Sequence, residues 1–186
     1  MLSFKCGGRL VLVVLVAVAL VVVGCAQKQK TEGMKIPLTQ GAPKAPTGEP
    51  YKIGAVFAVT GPVAPLGVPE KETAEMLEKE INAQGGINGR PLRIIVYDTA
   101  SVEDKCVMAA TRLIQSDQVL AIVGPSQSGE TLAIIPIVEK EQVPLVSCAA
   151  AVKITEPVKN WVFKTPQTDA MAVERIFRVL KGRGIK

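Results

Sequence analysis

Residues Gly124 to Thr131 read Gly-Pro-Ser-Gln-Ser-Gly-Glu-Thr, a spacing that invites comparison with the phosphate-binding pattern G-x-x-x-x-G-K-[ST]. Every fixed position agrees except the lysine, which is Glu130. That lysine neutralises nucleotide phosphates, whereas a glutamate repels them. At ~4 Å and an effective dielectric of roughly 20, the exchange costs several kcal/mol per phosphate charge. Nucleotide chemistry does not fit. A serine-rich turn opening a helix still offers free backbone N–H groups and a positive dipole end, which suit one carboxylate. Two readings satisfy the pattern: Ser126 or Ser128 only caps the helix, or the capping serine also touches a ligand.

Most other chemistry is absent. The chain has no histidine, the commonest general base and metal ligand. Without a Ser-His or Cys-His pair or a metal-ligand cluster, no catalytic residue, metal site or cofactor is expected. Cys106 and Cys148 could pair in an oxidising compartment, or could be two separately buried thiols; the second reading is favoured.

Cys25 is different. Lys5 and Arg9 form a positive opening, and an apolar run of 14 residues follows, from Leu10 to Val23. That length suits a secretion signal and is short for a membrane span. The run closes on Val22-Val23-Gly24-Cys25, which resembles a bacterial lipobox, so residues 1–25 are expected to be a lipoprotein signal peptide with Cys25 lipidated. The alternative is an uncleaved anchor helix. Either leaves the remainder extracytoplasmic and bound to a membrane, through lipid in the first case. Residues 26–50 are polar and carry Pro37, Pro43, Pro46 and Pro50, the composition of a flexible tether.

The formal charge of +5 falls to +1 over residues 51–186, so the pI of 9.1 is no argument for a nucleic-acid partner. Seven aromatics are too few for a base-stacking platform.

The elements that must position the Gly124 loop alternate between strand and helix. Strands are predicted at Lys52–Val59, Leu92–Tyr97, Val119–Val123, Pro144–Ser147 and Trp161–Phe163. Helices are predicted at Glu70–Gln84, from a Ser101 cap to about Ser116, at Thr131–Glu141 and from about Asp169. Such alternation implies an α/β fold with a doubly wound, mostly parallel sheet. Ligands of such sheets sit beyond the carboxyl ends of the strands. Here that edge comprises Thr60–Pro69, Asp98–Asp104, Gly124–Glu130 and Ser147–Pro157.

Five stretches then converge on one family: IGAVFAVTGPVAPLG (Ile53–Gly67), INAQGGINGRPLRIIVYD (Ile81–Asp98), VLAIVGPSQSG (Val119–Gly129), VPLVSCAAA (Val143–Ala151) and VFKTPQTD (Val162–Asp169). Over Tyr51 to Lys186 the chain resembles the solute-binding proteins of branched-chain amino-acid ABC importers, a periplasmic-binding-protein type 1 family. The resemblance implies two α/β lobes closing on an amino acid that is passed to an ABC permease. It places a carboxylate-binding serine at Ser128 and backbone contacts to the ligand's ammonium at Ala149. A family threonine falls on Ala151, a pocket tyrosine on Leu66, a helix glycine on Thr73, and the family's cysteine pair on Ser101 and Gln127. The expected ligand is a branched-chain amino acid, or a similar small amino acid or amide. The resemblance also implies a first lobe at 51–167 and, at 168–186, the start of a second lobe that is otherwise largely missing. A one-lobed interaction lipoprotein, or a non-binding truncated remnant, is the alternative.

Overall fold

The computed structural model describes residues 44–185. Cys6, the Leu10–Val23 run, Cys25 and most of the 26–50 tether lie outside the described residues. Five strands form one parallel sheet: β1 (Tyr51–Phe57), β2 (Leu92–Asp98), β3 (Ile122–Val123), β4 (Leu145–Ser147) and β5 (Val162–Lys164). Their spatial order is β2-β1-β3-β4-β5. The helices are α1 (Ala64–Ala83), α2 (Glu103–Arg112), α3 (Ser128–Glu141) and α4 (Asp169–Gly182). The expected doubly wound α/β fold is present.

The strand order decides which face each helix covers. The step from β1 to β2 runs one way across the sheet, and the steps β2 to β3 to β4 run the other way. With right-handed crossovers, α1 lies on one face and α2 and α3 lie on the opposite one. Burial agrees. Val56, Ile122, Leu145 and Val162 face α2 and α3 and join Cys106, Ala110, Leu113, Ile134 and Val138 in the core. On the other face, pairing puts Val96, Ala55, Val123, Val146 and Phe163 in one row across all five strands. Among the described residues only α1 covers part of that row, and Phe163 is 54% exposed.

Several elements differ from expectation for identifiable reasons. Helix α1 begins six residues before the expected Glu70, because Pro65, Gly67 and Pro69 look like loop residues. Proline is tolerated in a first turn. Gly67 lets the helix press on the backbone of Ala58, where any Cβ would collide with the carbonyl. Strand β3 is only two residues long, although Leu120 N–H still donates to the Lys52 carbonyl at 2.9 Å. Ser101 is not a helix cap. It has φ 61°, and α2 starts after Val102 with no side-chain cap. Beyond Arg112, α2 continues as a π-turn over Leu113–Asp117, near the expected end at Ser116. The folded body also reaches back into the expected tether: Thr47 N–H donates to the Gly89 carbonyl at 2.8 Å, and Arg90 Nε donates to the Glu49 carbonyl.

Candidate functional site

The loops at the carboxyl edge are tied to one another. The Asp98 carboxylate accepts from Val59 N–H (2.9 Å), Thr60 N–H (3.1 Å), Thr60 Oγ1 (2.6 Å) and Ala100 N–H (2.8 Å). Burial works to raise its pKa, but the bonds from Thr60, Ala100 and Val59 prevail and hold the carboxyl below the usual aspartate value. Ser101 Oγ adds a second tie, accepting from Val63 N–H at 3.2 Å and donating to the Thr60 carbonyl at 3.1 Å. The loop after β1 is thus fastened to the loop after β2.

The Gly124 loop joins the same group. Ser126 Oγ accepts from Ala58 N–H at 3.2 Å and donates to Glu70 of α1. Gly124 has φ 95° and lies against the Val56 carbonyl, a position no side chain could share. Cys148 N–H donates to the Pro125 carbonyl at 3.2 Å, and Ala151 N–H donates to Ser128 Oγ at 3.3 Å. The loops after β1, β2, β3 and β4 therefore meet at one mouth, as parallel strand ends require.

Neither serine caps the helix as expected. The residue before α3 is Gln127, which makes no side-chain cap bond. Ser126 and Ser128 instead direct their hydroxyls across to neighbouring loops. The first-turn N–H groups of α3 keep no intrahelical partner, which leaves a site with positive potential beside Ser128. Glu103 lies against Gly129 and already places one carboxylate there.

The residues singled out from the sequence fall on the mouth unevenly. Ser128 and Ala151 are joined directly. Ala149 is buried, and its N–H is held by Ser147 Oγ at 3.1 Å, which leaves its carbonyl as the group it can offer. Leu66 sits in the first turn of α1 and is 54% exposed. Gln127 turns inward: its Nε2 is buried without a hydrogen-bond partner, next to Glu130. Cys106 and Cys148 are both free, Cys106 buried and Cys148 half-buried. Burial, reinforced by the Glu70 charge, pushes the Cys148 thiol up to about 11.

Three features escaped the sequence reading. Glu130 is 1% exposed, and both its oxygens lack an aligned partner. Burial raises its pKa, Thr99 and Gln127 hold part of the rise back, and the charges of Glu103 and Asp98 add to it. Glu70 is likewise raised by burial, against the opposing bonds from Ser126 and Cys148. Lys164 Nζ donates to the Ala150 carbonyl at 2.7 Å, so a cation braces the loop after β4. The mismatch to a phosphate-loop lysine marked Glu130 in the sequence, but nothing there showed its burial. Among the described residues no group of three or more His, Cys, Asp and Glu is placed to hold a metal ion.

This fold and mouth define a class, and comparison with known proteins gives the family. The model described as periplasmic binding protein matches residues 50–186, and the chain belongs to that family. The Leu/Ile/Val-binding protein of Escherichia coli K12 is 32% identical over 123 residues, which covers 66% of this chain and 33% of the relative. The leucine-, isoleucine-, valine-, threonine- and alanine-binding protein of Pseudomonas aeruginosa is 34% identical over 121 residues, covering 64% and 32%. The chain spans about a third of the length of these curated relatives. Among solved structures, the branched-chain amino acid transporter substrate binding protein LivJ of Streptococcus pneumoniae, in complex with isoleucine, aligns with TM-score 0.63 at 32% identity. That alignment covers 66% of this chain and 35% of LivJ. The leucine-binding protein LivK of Thermotoga maritima aligns with the same TM-score at 27% identity, covering 72% and 37%.

Proposed function

We propose that the chain is an extracytoplasmic solute-binding lipoprotein, or a portion of one, whose mouth takes a branched-chain amino acid or a similar small amino acid or amide for an ABC importer. The observation that carries this reading is the convergence of four strand-end loops beside the N-terminus of α3, with Ser128 and Ala151 in contact. Ser128 Oγ and the first-turn N–H groups of α3 would receive the ligand's carboxylate, and the Ala149 carbonyl its ammonium. Ala151 and Leu66 supply apolar wall where the family's threonine and tyrosine would stand, so specificity rests on shape and backbone more than on side-chain hydrogen bonds. Cys25 would carry the lipid that keeps the protein on the membrane. No helix among the described residues is long and apolar enough to cross one.

A closed two-lobed clamp of micromolar affinity has about −8 kcal/mol distributed over both lobes. The lobe at 51–167 taken by itself, with its ligand half in water, keeps about half of that, or roughly millimolar binding. Calorimetry with leucine, isoleucine, valine and short amides is expected to give heats in that range. Ser128→Ala should weaken any carboxylate-bearing ligand by about 1.5–3 kcal/mol, the worth of a charge-assisted hydrogen bond. No heat at millimolar ligand would overturn the capture reading. Unchanged affinity in the variant would remove Ser128 from the site. Cys25→Ser should release the protein from membranes; continued retention would point to an uncleaved anchor helix.

A further inference from the structure

A buried carboxyl shares the first turn of α3 with the proposed ligand site. Glu130 is the third residue of that helix, just after Ser128 and Gly129, and is 1% exposed. Thr99 Oγ1, just past β2, and Gln127 Nε2 face its carboxyl without reaching an aligned bond. These two atoms and both Glu130 oxygens are buried. Adding chain can only deepen such burial, so the cluster stands on the described residues.

The surroundings make the charged form costly. Glu103 of α2 and Asp98 of β2 add negative charge to Glu130, and its own charge bears on Cys106 of α2 and Glu70 of α1. No salt bridge among the described residues involves it. Burial holds the carboxyl above the ordinary glutamate value, against partial opposition from Thr99 and Gln127. The sequence has no histidine, so few other side chains titrate near neutrality.

Position gives this carboxyl its consequence. Ser128 Oγ and the first-turn N–H groups of α3 are the groups proposed to receive a ligand's carboxylate. A fixed anion in the same turn cancels much of the helix-end potential that favours such a ligand. An uncharged ligand loses little. We infer that Glu130 sets the charge selectivity of the mouth: as a neutral carboxyl it leaves the α3 N-terminus attractive to a carboxylate-bearing ligand, and as an anion it turns the site towards uncharged amides. This selectivity presupposes the capture role proposed above and separates two ligand classes which that role leaves together. The coupling is reciprocal, so a bound carboxylate strengthens Glu130's hold on its proton, and the complex takes up protons as it forms.

Calorimetry of the full chain in mild detergent, with leucine and with isovaleramide, tests this from about pH 5 to about pH 8.5. Leucine affinity should fall about three- to tenfold as pH rises through the raised Glu130 pKa, while that of the amide stays level. Glu130→Gln should hold leucine at its acid-side affinity throughout; circular dichroism checks that the variant folds. Heats in two buffers of different ionisation enthalpy should show proton uptake with leucine in the parent, a readout that needs no variant. A level leucine affinity without proton uptake would overturn the selectivity and leave the capture role intact. So would a fall that survives Glu130→Gln, which would move the titration to Glu70, or an amide that binds at no pH. No heat from either ligand at any pH would overturn the capture role itself, and the selectivity with it.

Discussion

The two faces of one sheet are built to different standards. Under α2 and α3, Val56, Ile122, Ile134, Val138 and Leu145 are fully buried and share a single core. Under α1, the matching row of Ala55, Val123, Val146 and Phe163 runs out from helix cover to open strip. The same strands supply both rows, so the difference lies in the number of helices and not in the strand residues. A buried methylene contributes stability only where something packs against it. Among the described residues, the α2–α3 face therefore carries most of the packed core, and the α1 face is covered by one helix.

The sharpest way to break this contrast is a pair of truncations. Ile134→Ala should cost about 2–5 kcal/mol in a denaturant titration, whereas Val146→Ala on the strip should cost under about 1 kcal/mol. Equal costs would mean the strip is covered in solution. The next effect sits within the well-packed side. Glu130 is buried without aligned partners, so Glu130→Gln should stabilise the protein by about 1–3 kcal/mol at neutral pH. Because its folded pKa lies above the unfolded value, burial favours the protonated form. The gain from the variant should therefore shrink as pH falls through the raised folded pKa and vanish below the ordinary glutamate range. A gain that persists at acid pH would show that Glu130 costs the fold nothing as an anion.

Asp98 shows the opposite sign at the mouth. Its folded pKa is depressed, so the stability it contributes is present above the ordinary aspartate value and is lost as pH falls through the folded one. The group is exposed, and screening reduces its worth, so Asp98→Asn should cost about 0.5–1 kcal/mol at neutral pH. A variant as stable as the parent would mean that Thr60 and Val59 find other partners.

Much of this architecture was legible in the sequence. Continuous apolar runs such as Leu92–Tyr97, separated by helical periodicity, specify a parallel sheet because buried strands need apolar residues on both sides. The mouth was legible too, since strand direction alone gathers the four loops. What stayed hidden depends on contacts between distant residues. Pro65, Gly67 and Pro69 read as loop until the Ala58 backbone shows why a glycine belongs inside that helix. Ser101, Ser126 and Ser128 read as local caps, and each instead bonds across to a residue more than 20 positions away. The half-bare face was also invisible, because Val123 and Val146 look the same in sequence whether or not a helix lies over them.

The ties around Asp98 and Ser101 have a dynamic consequence. A loop whose amides at Val59, Thr60 and Val63 are all held by neighbouring side chains cannot behave as a swinging flap. On the proposed binding role this jaw is set before any guest arrives, so little ordering entropy is lost when one binds. Any closing motion that traps a guest must then come from whatever faces this jaw, while the jaw itself acts as the fixed anvil.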